Sequence, residues 1–195
     1  MKEGKVDKRV VKTKTAVFSS FKELVEQKDI SEITISELTQ KAGITRSTFY
    51  MYYDTVADVR DDIENEIMER IDVIMSEEDI VNSLENPYPL LSTVAEEITR
   101  QDQNNRYILS SSSSGRLLNK ITDRMVDCYM RSLSGSDAAN GMDINKARYV
   151  VAFAVAGMME CFKHWFNHKS TLTLEELCKN ISDAMNKCIS VILDR

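Results

Sequence analysis

Residues 33–53 read ITISELTQKAGITRSTFYMYY, and this stretch spells two short helices with a tight turn between them. Thr34 stands at an N-cap position with Glu37 three residues on, the spacing of a capping box, and Ile33 and Leu38 flank it as a hydrophobic staple. Ile35, Leu38 and Ala42 share one face, and Gly43 follows where a residue free to take positive φ can end the helix. Thr45 then caps a second helix, with Ile44 and Phe49 spaced for another staple. The spacing predicts a helix-turn-helix.

The second helix has two unlike faces. Phe49 and Tyr53, four apart, point back toward Ile35 and Leu38, whereas Arg46, Ser47, Tyr50 and Met51 fall on the other side. A guanidinium can bond a guanine edge through two parallel hydrogen bonds, hydroxyls can bond phosphates or bases, and a methionine can press on a thymine methyl. Such groups near a helix start suit the major groove of DNA.

The run TISELTQKAGITRSTFYMYYDT, residues 34–55, resembles the DNA-binding signature of TetR/AcrR-type transcriptional regulators, with its alanine-glycine pair and its aromatic-tyrosine pair. The resemblance implies an all-helical homodimer. It also implies an N-terminal three-helix head on an operator and a larger C-terminal domain that holds a small-molecule effector and the dimer interface. By position, Arg46, Ser47 and Thr48 would face bases and Tyr50 and Tyr52 would bond phosphates, with Thr34, Ser36, Thr45 and Met51 completing the DNA-facing set. The chain departs from the pattern at Val56, where the family commonly carries a lysine that meets a phosphate.

Composition sets the bounds. With 43% hydrophobic and 29% charged residues in 195, the chain is globular, and only two prolines and six glycines leave room for long helices throughout. No alternating β-branched run asks to be a strand, so the fold class is all-α, divided as residues 1–57 for the DNA-binding head and 58–195 for the effector and dimerisation domain. A net charge of −6 argues against indiscriminate coating of DNA. It permits a local reader, because Lys2, Lys5, Lys8, Arg9, Lys12, Lys14 and Lys22 gather before the motif against Glu3 and Asp7, and Lys12 and Lys14 are placed to reach phosphates.

The start MKEGKVDKRV lacks the apolar core of a signal peptide, and the apolar run from Tyr149 to Met159 is shorter than the ~20 residues that span a bilayer. The expectation is a cytoplasmic protein without membrane contact. Cys128, Cys161, Cys178 and Cys188 form no C-x-x-C pair and read as small core hydrophobes. Cys161, His164 and His168 share a helix face at metal-ligand spacing, but no companion cluster supports them, and no metal or cofactor is expected. The serines 110–114 read as a helix connection, and neither histidine has a nucleophile or carboxylate relay in sequence, so no enzyme is expected.

Outside the motif, the spacing predicts a scaffolding helix from about Asp7 to Gln27 and a long one after Thr55, whose Val59, Ile63, Ile67, Ile71 and Ile74 make one stripe. Residues 76–89, with both prolines, read as a linker. A helix around 117–133, one from about Ile144 to His168 that is apolar nearly all round, and a last one carrying Leu177, Ile181, Ala184, Cys188 and Ile192 follow. The last two would pair with their symmetry mates in a four-helix bundle, with Phe162, Trp165, Ile181, Cys188 and Ile192 at the interface. Tyr107, Met125, Tyr129, Phe153 and Met158 are the kind of side chain that lines an apolar effector pocket, and equally the kind that fills a core. Two functions fit: a ligand-responsive repressor on a near-palindromic double-stranded operator, or a TetR-like adaptor or coactivator acting through a protein partner, to which Val56 and the acidic total point.

Overall fold

The computed structural model describes residues 8–77, 80–99, 114–135, 142–167 and 170–193, without the side chains at 77, 98, 99, 114, 166, 167, 192 and 193. Among the described residues every regular element is helical. They form two compact units, one reaching Ile67 and a second built from Met68–Gln101 and Gly115–Arg195. The division expected at residue 57 marks the start of a helix, and the first unit continues ten residues along it, to Ile67.

The first unit contains α1 (Lys8–Val25), a 3-10 turn (Ile30–Glu32), α2 (Ile35–Ala42), α3 (Arg46–Tyr50) and the first half of α4 (Val56–Glu77). Val17, Phe18, Phe21, Leu24 and Val25 bury one face of α1, and Leu38, Phe49, Tyr53, Val59 and Ile63 meet in the same small core. Thr34 caps α2 by accepting the Glu37 N–H at 3.2 Å. The helix ends in a Schellman turn: Gly43 takes φ +65°, its N–H bonds the Gln40 carbonyl, and the Ile44 N–H bonds the Thr39 carbonyl.

The Glu37 side chain does not reach back as a capping box would. It accepts from Lys28 at 2.5 Å instead, because the chain folds the end of α1 against the first turn of α2 and offers a full cation in place of an amide. A complete box forms one step earlier, where Asp29 and Glu32 cap the 3-10 turn. Thr55 and Asp58 cap α4 reciprocally, as their spacing predicts.

The second unit holds the rest of α4, α5 (Asn82–Glu85), α6 (Tyr88–Thr99), α7 (Ser114–Ser134), α8 (Ile144–Asn167) and α9 (Leu174–Leu193). The buried stripe of α4 passes from Ile71 to Met75 rather than Ile74, which is half-buried, since a spacing of four keeps it on one face. The proposed linker carries α5 and opens α6, with Pro89 in the first turn where its missing N–H costs nothing. α9 packs on α8 and α6 through Leu177, Cys178, Ile181, Met185 and Ile189. The expected stripe is thus corrected at Ala184, which is exposed, and at Cys188, which is half-buried, because the run at intervals of four from Leu177 wins the core. No helix among the described residues is long and apolar enough to cross a membrane.

Candidate nucleic-acid interface

α3 begins because Thr45 accepts the Thr48 N–H at 3.1 Å, and it stays folded because Phe49 is wholly buried. Truncating a ring buried in this way costs ~3–5 kcal/mol, which is large for a helix of five residues. Phe49 lies edge-on to Tyr50 at 5.8 Å and tilted to Tyr53 at 5.6 Å, and Tyr53 meets Phe18 of α1 at 6.5 Å. The Tyr53 hydroxyl donates to Asp62 Oδ2 at 2.7 Å, and Lys14 Nζ donates to the same oxygen at 2.6 Å. Burial first, and then the Asp62 carboxylate, push the Tyr53 phenol far above its ordinary range, so it remains a donor.

With Phe49 inward, Arg46 and Ser47 are exposed, Tyr50 is 55% exposed and Met51 74%. Thr34 and Ser36 are also exposed, and Tyr52 and Thr48 are half-buried. The hydroxyls are not equally available. Thr34 and Thr45 are engaged as caps, and the Thr48 hydroxyl lies 2.9 Å from that of Thr45. Four cations of the head are paired with carboxylates: Lys14 with Asp62, Lys28 with Glu37, Lys41 with Glu23 and Arg60 with Asp61. Lys14, expected to reach phosphate, is instead paired with Asp62. Among the described residues no carboxylate pairs with Arg46 or Lys12.

Val56, the departure from the family pattern, is the first residue of α4 and lines a hollow of about 540 Å³ together with Ile30, Ile33, Ile35, Ala57 and Arg60. An aliphatic side chain suits Ile30, Ile33, Ile35 and Ala57 among these, while Asp29, Ser31, Thr55 and Arg60 make the rest of the lining polar. Asp62, on which the Tyr53 anchor depends, was not singled out by sequence reasoning. It is nine residues from Tyr53 and 48 from Lys14, with no local pattern to join them. The Asp29–Glu32 box did have a signal, the acid-x-x-acid spacing before Ile33.

The other predicted sites fare differently. Met125, Tyr129 and Met158 are buried in the core of the second unit, where the Tyr129 and Ser83 hydroxyls lie 3.1 Å apart. Phe153 is 70% exposed, because α8 turns it away from the buried face that carries Met158. Tyr107 lies outside the described residues. Of the interface set, Phe162 and Ile181 are buried against their own chain and present no surface to a partner. Trp165 is half-buried and donates its indole N–H to the Leu172 carbonyl at 2.8 Å. Cys188 is half-buried, and the Ile192 side chain lies outside the described ones. The apolar surface left open on α8 is instead Tyr149, 78% exposed, and Phe153, with Ala156 and Gly157 on the following turn. Cys161 and His164 are exposed on the same helix, and His168 lies outside the described residues.

No family model matches the chain. A stretch of 53 residues, 27% of the chain, is 45% identical to the uncharacterized HTH-type transcriptional regulator YxbF of Bacillus subtilis, and takes in 14% of that protein's length. NalD of Pseudomonas aeruginosa, the secondary repressor of the MexAB-OprM multidrug efflux pump, superposes with a TM-score of 0.71 at 15% identity, over 92% of this chain and 97% of NalD. A TetR transcriptional regulator from Streptococcus agalactiae superposes at 0.59 with 16% identity, over 92% and 96% of the two chains. All three relatives are named as regulators and none as an enzyme. Over nearly its whole length, this chain therefore shares the fold of NalD and of the Streptococcus TetR regulator.

Proposed function

We propose that the chain is a sequence-specific DNA-binding transcriptional regulator, a repressor that acts inside the cell as a homodimer on a near-palindromic double-stranded operator. The observation that carries this reading is α3: a capped five-residue helix with Phe49 buried and with Arg46, Ser47, Tyr50 and the following Met51 exposed. Arg46 would read a base edge, and Tyr50 and Tyr52 would bond phosphates. Repression follows the description of NalD. The homodimer is supported by Tyr149 and Phe153, two aromatic side chains left uncovered on α8. A small-molecule effector would enter the second unit near Met125, Tyr129 and Met158, with the Tyr129 and Ser83 hydroxyls as its polar contacts.

Selection from a randomised duplex library tests the reading. The wild-type chain is expected to enrich an inverted repeat with half-sites about one helical turn apart or a multiple of it. Arg46→Ala then loses about 1–3 kcal/mol of discrimination at one base pair of each half-site. Enrichment of no sequence, or equal weakening on every sequence, would overturn the base-reading role.

A further inference from the structure

Resting on the DNA-binding reading, we propose that Asp62 is a positioning residue for recognition, setting the orientation of α3 by holding Tyr53 and Lys14 on one carboxylate oxygen. Five residues cannot sustain a helix alone, since nucleation is costly and little propagation follows. Its orientation must therefore come from anchors. Phe49 is one, a ring in the core about which the short helix can still roll. Tyr53, just past the helix end, is the second. Its ring is packed by Phe49 and Phe18, and its hydroxyl is held at 2.7 Å by Asp62 of α4. Two anchors four residues apart set the roll, and with it the direction of Arg46 and Ser47.

The same oxygen takes Lys14 of α1 at 2.6 Å, and that ammonium also lies 5.7 Å from the centre of the Tyr53 ring. One carboxylate thus joins α1, α4 and the chain that leaves α3. It also consumes a cation at the basic end of the head. Removing Asp62 has two opposite consequences: α3 loosens, which weakens binding to the chosen sequence, and Lys14 is released, which strengthens binding to any sequence. Simple destabilisation of the fold would lower both together.

The test uses the full-length chain as wild type, Tyr53→Phe, Asp62→Ala and Asp62→Asn. Amide exchange is followed at Phe49 and Tyr52, whose N–H groups bond the Thr45 and Phe49 carbonyls, against the buried amides of α1. Affinity is measured on a duplex enriched by the wild-type chain and on a shuffled duplex of the same composition, over a range of salt. Tyr53→Phe and Asp62→Ala are expected to speed exchange in α3 by at least about tenfold, the worth of one hydrogen bond to a charged group, with α1 unchanged; Tyr53→Phe weakens the enriched duplex by about as much, and Asp62→Ala by less, since the released Lys14 offsets part of the loss. Asp62→Ala is expected to bind the shuffled duplex more tightly, with a salt slope steeper by ~0.9 for the one cation released. Asp62→Asn, whose amide oxygen still accepts the phenol, restores most of the α3 protection. Unchanged α3 exchange in both Tyr53→Phe and Asp62→Ala, or Asp62→Asn no better than Asp62→Ala, overturns the assignment. Should the wild-type chain enrich no duplex, the DNA reading fails and the assignment with it, while the exchange data still report whether the tie holds α3.

Discussion

The Thr45 hydroxyl accepts the Thr48 N–H at 3.1 Å and lies 2.9 Å from the Thr48 hydroxyl, so the residue that starts α3 also engages the side chain of its third residue. Thr45→Ala is expected to cost ~1 kcal/mol in chemical denaturation, and Thr45→Ser far less, because the serine oxygen replaces the cap. Equal stability of the alanine variant and the wild type would show that α3 does not depend on this bond.

Gly43 poses a purely conformational problem. At φ +65° it sits in the left-handed region, yet nothing lies within 4 Å of where a Cβ would be. Gly43→Ala therefore costs the backbone term alone, ~1–2 kcal/mol, and Gly43→Asn less, since asparagine tolerates that region. A larger loss in both, read from thermal melts, would mean that the space is not open.

Tyr149 and Phe153, 78% and 70% exposed, lie one turn apart on α8 and contribute little to the core of their own chain. Phe153→Glu is expected to leave the helical circular dichroism unchanged and to convert a dimer into a monomer in sedimentation. Wild-type protein that sediments as a monomer at micromolar concentration would remove this face as the interface.

In the second unit, the buried Tyr129 and Ser83 hydroxyls differ in what they lose when separated. Ser83 also donates to the Ile80 carbonyl at 2.8 Å, so Tyr129→Phe leaves it satisfied. Ser83→Ala leaves the buried phenol without that partner and is expected to cost about 1–3 kcal/mol, more than Tyr129→Phe. Urea titrations of the two variants decide the order, and the reverse order would contradict the bonding.

The Lys28 hydrogen bond holds the Glu37 carboxyl below its ordinary value of 4.5. Because the folded-state value is the lower one, the pair's contribution is present above the unfolded-state value and is lost as pH falls through the folded-state value. Both side chains are partly exposed, so the effect on stability is small. Lys28→Met is expected to return Glu37 toward 4.5 in a carboxyl NMR titration. No movement would show that Lys28 is not the cause.

Short-range chemistry could be read along the chain. Thr34, Gly43, Thr45, Thr55 and Asp58 act within three or four residues of themselves, and each behaves as its spacing predicts. Helical periodicity likewise placed Val17, Phe18 and Phe21 on the buried face of α1, and Val59, Ile63, Ile67 and Ile71 on that of α4. Periodicity states that a face is apolar; it does not state what covers it. Thus Phe153, apolar and suited to a pocket, is exposed, while Phe162 and Ile181, suited to an interface, are buried in their own chain.

The choice of Lys28 over a reciprocal cap for Glu37, and the meeting of Tyr53 and Lys14 at Asp62, lay beyond the sequence for the same reason. Charged and phenolic groups select partners by distance after the helices have packed. Local backbone bonding therefore settled where the helices of this chain begin and end, and the packing of those helices settled which side chains are buried, which are paired and which are left to face a partner.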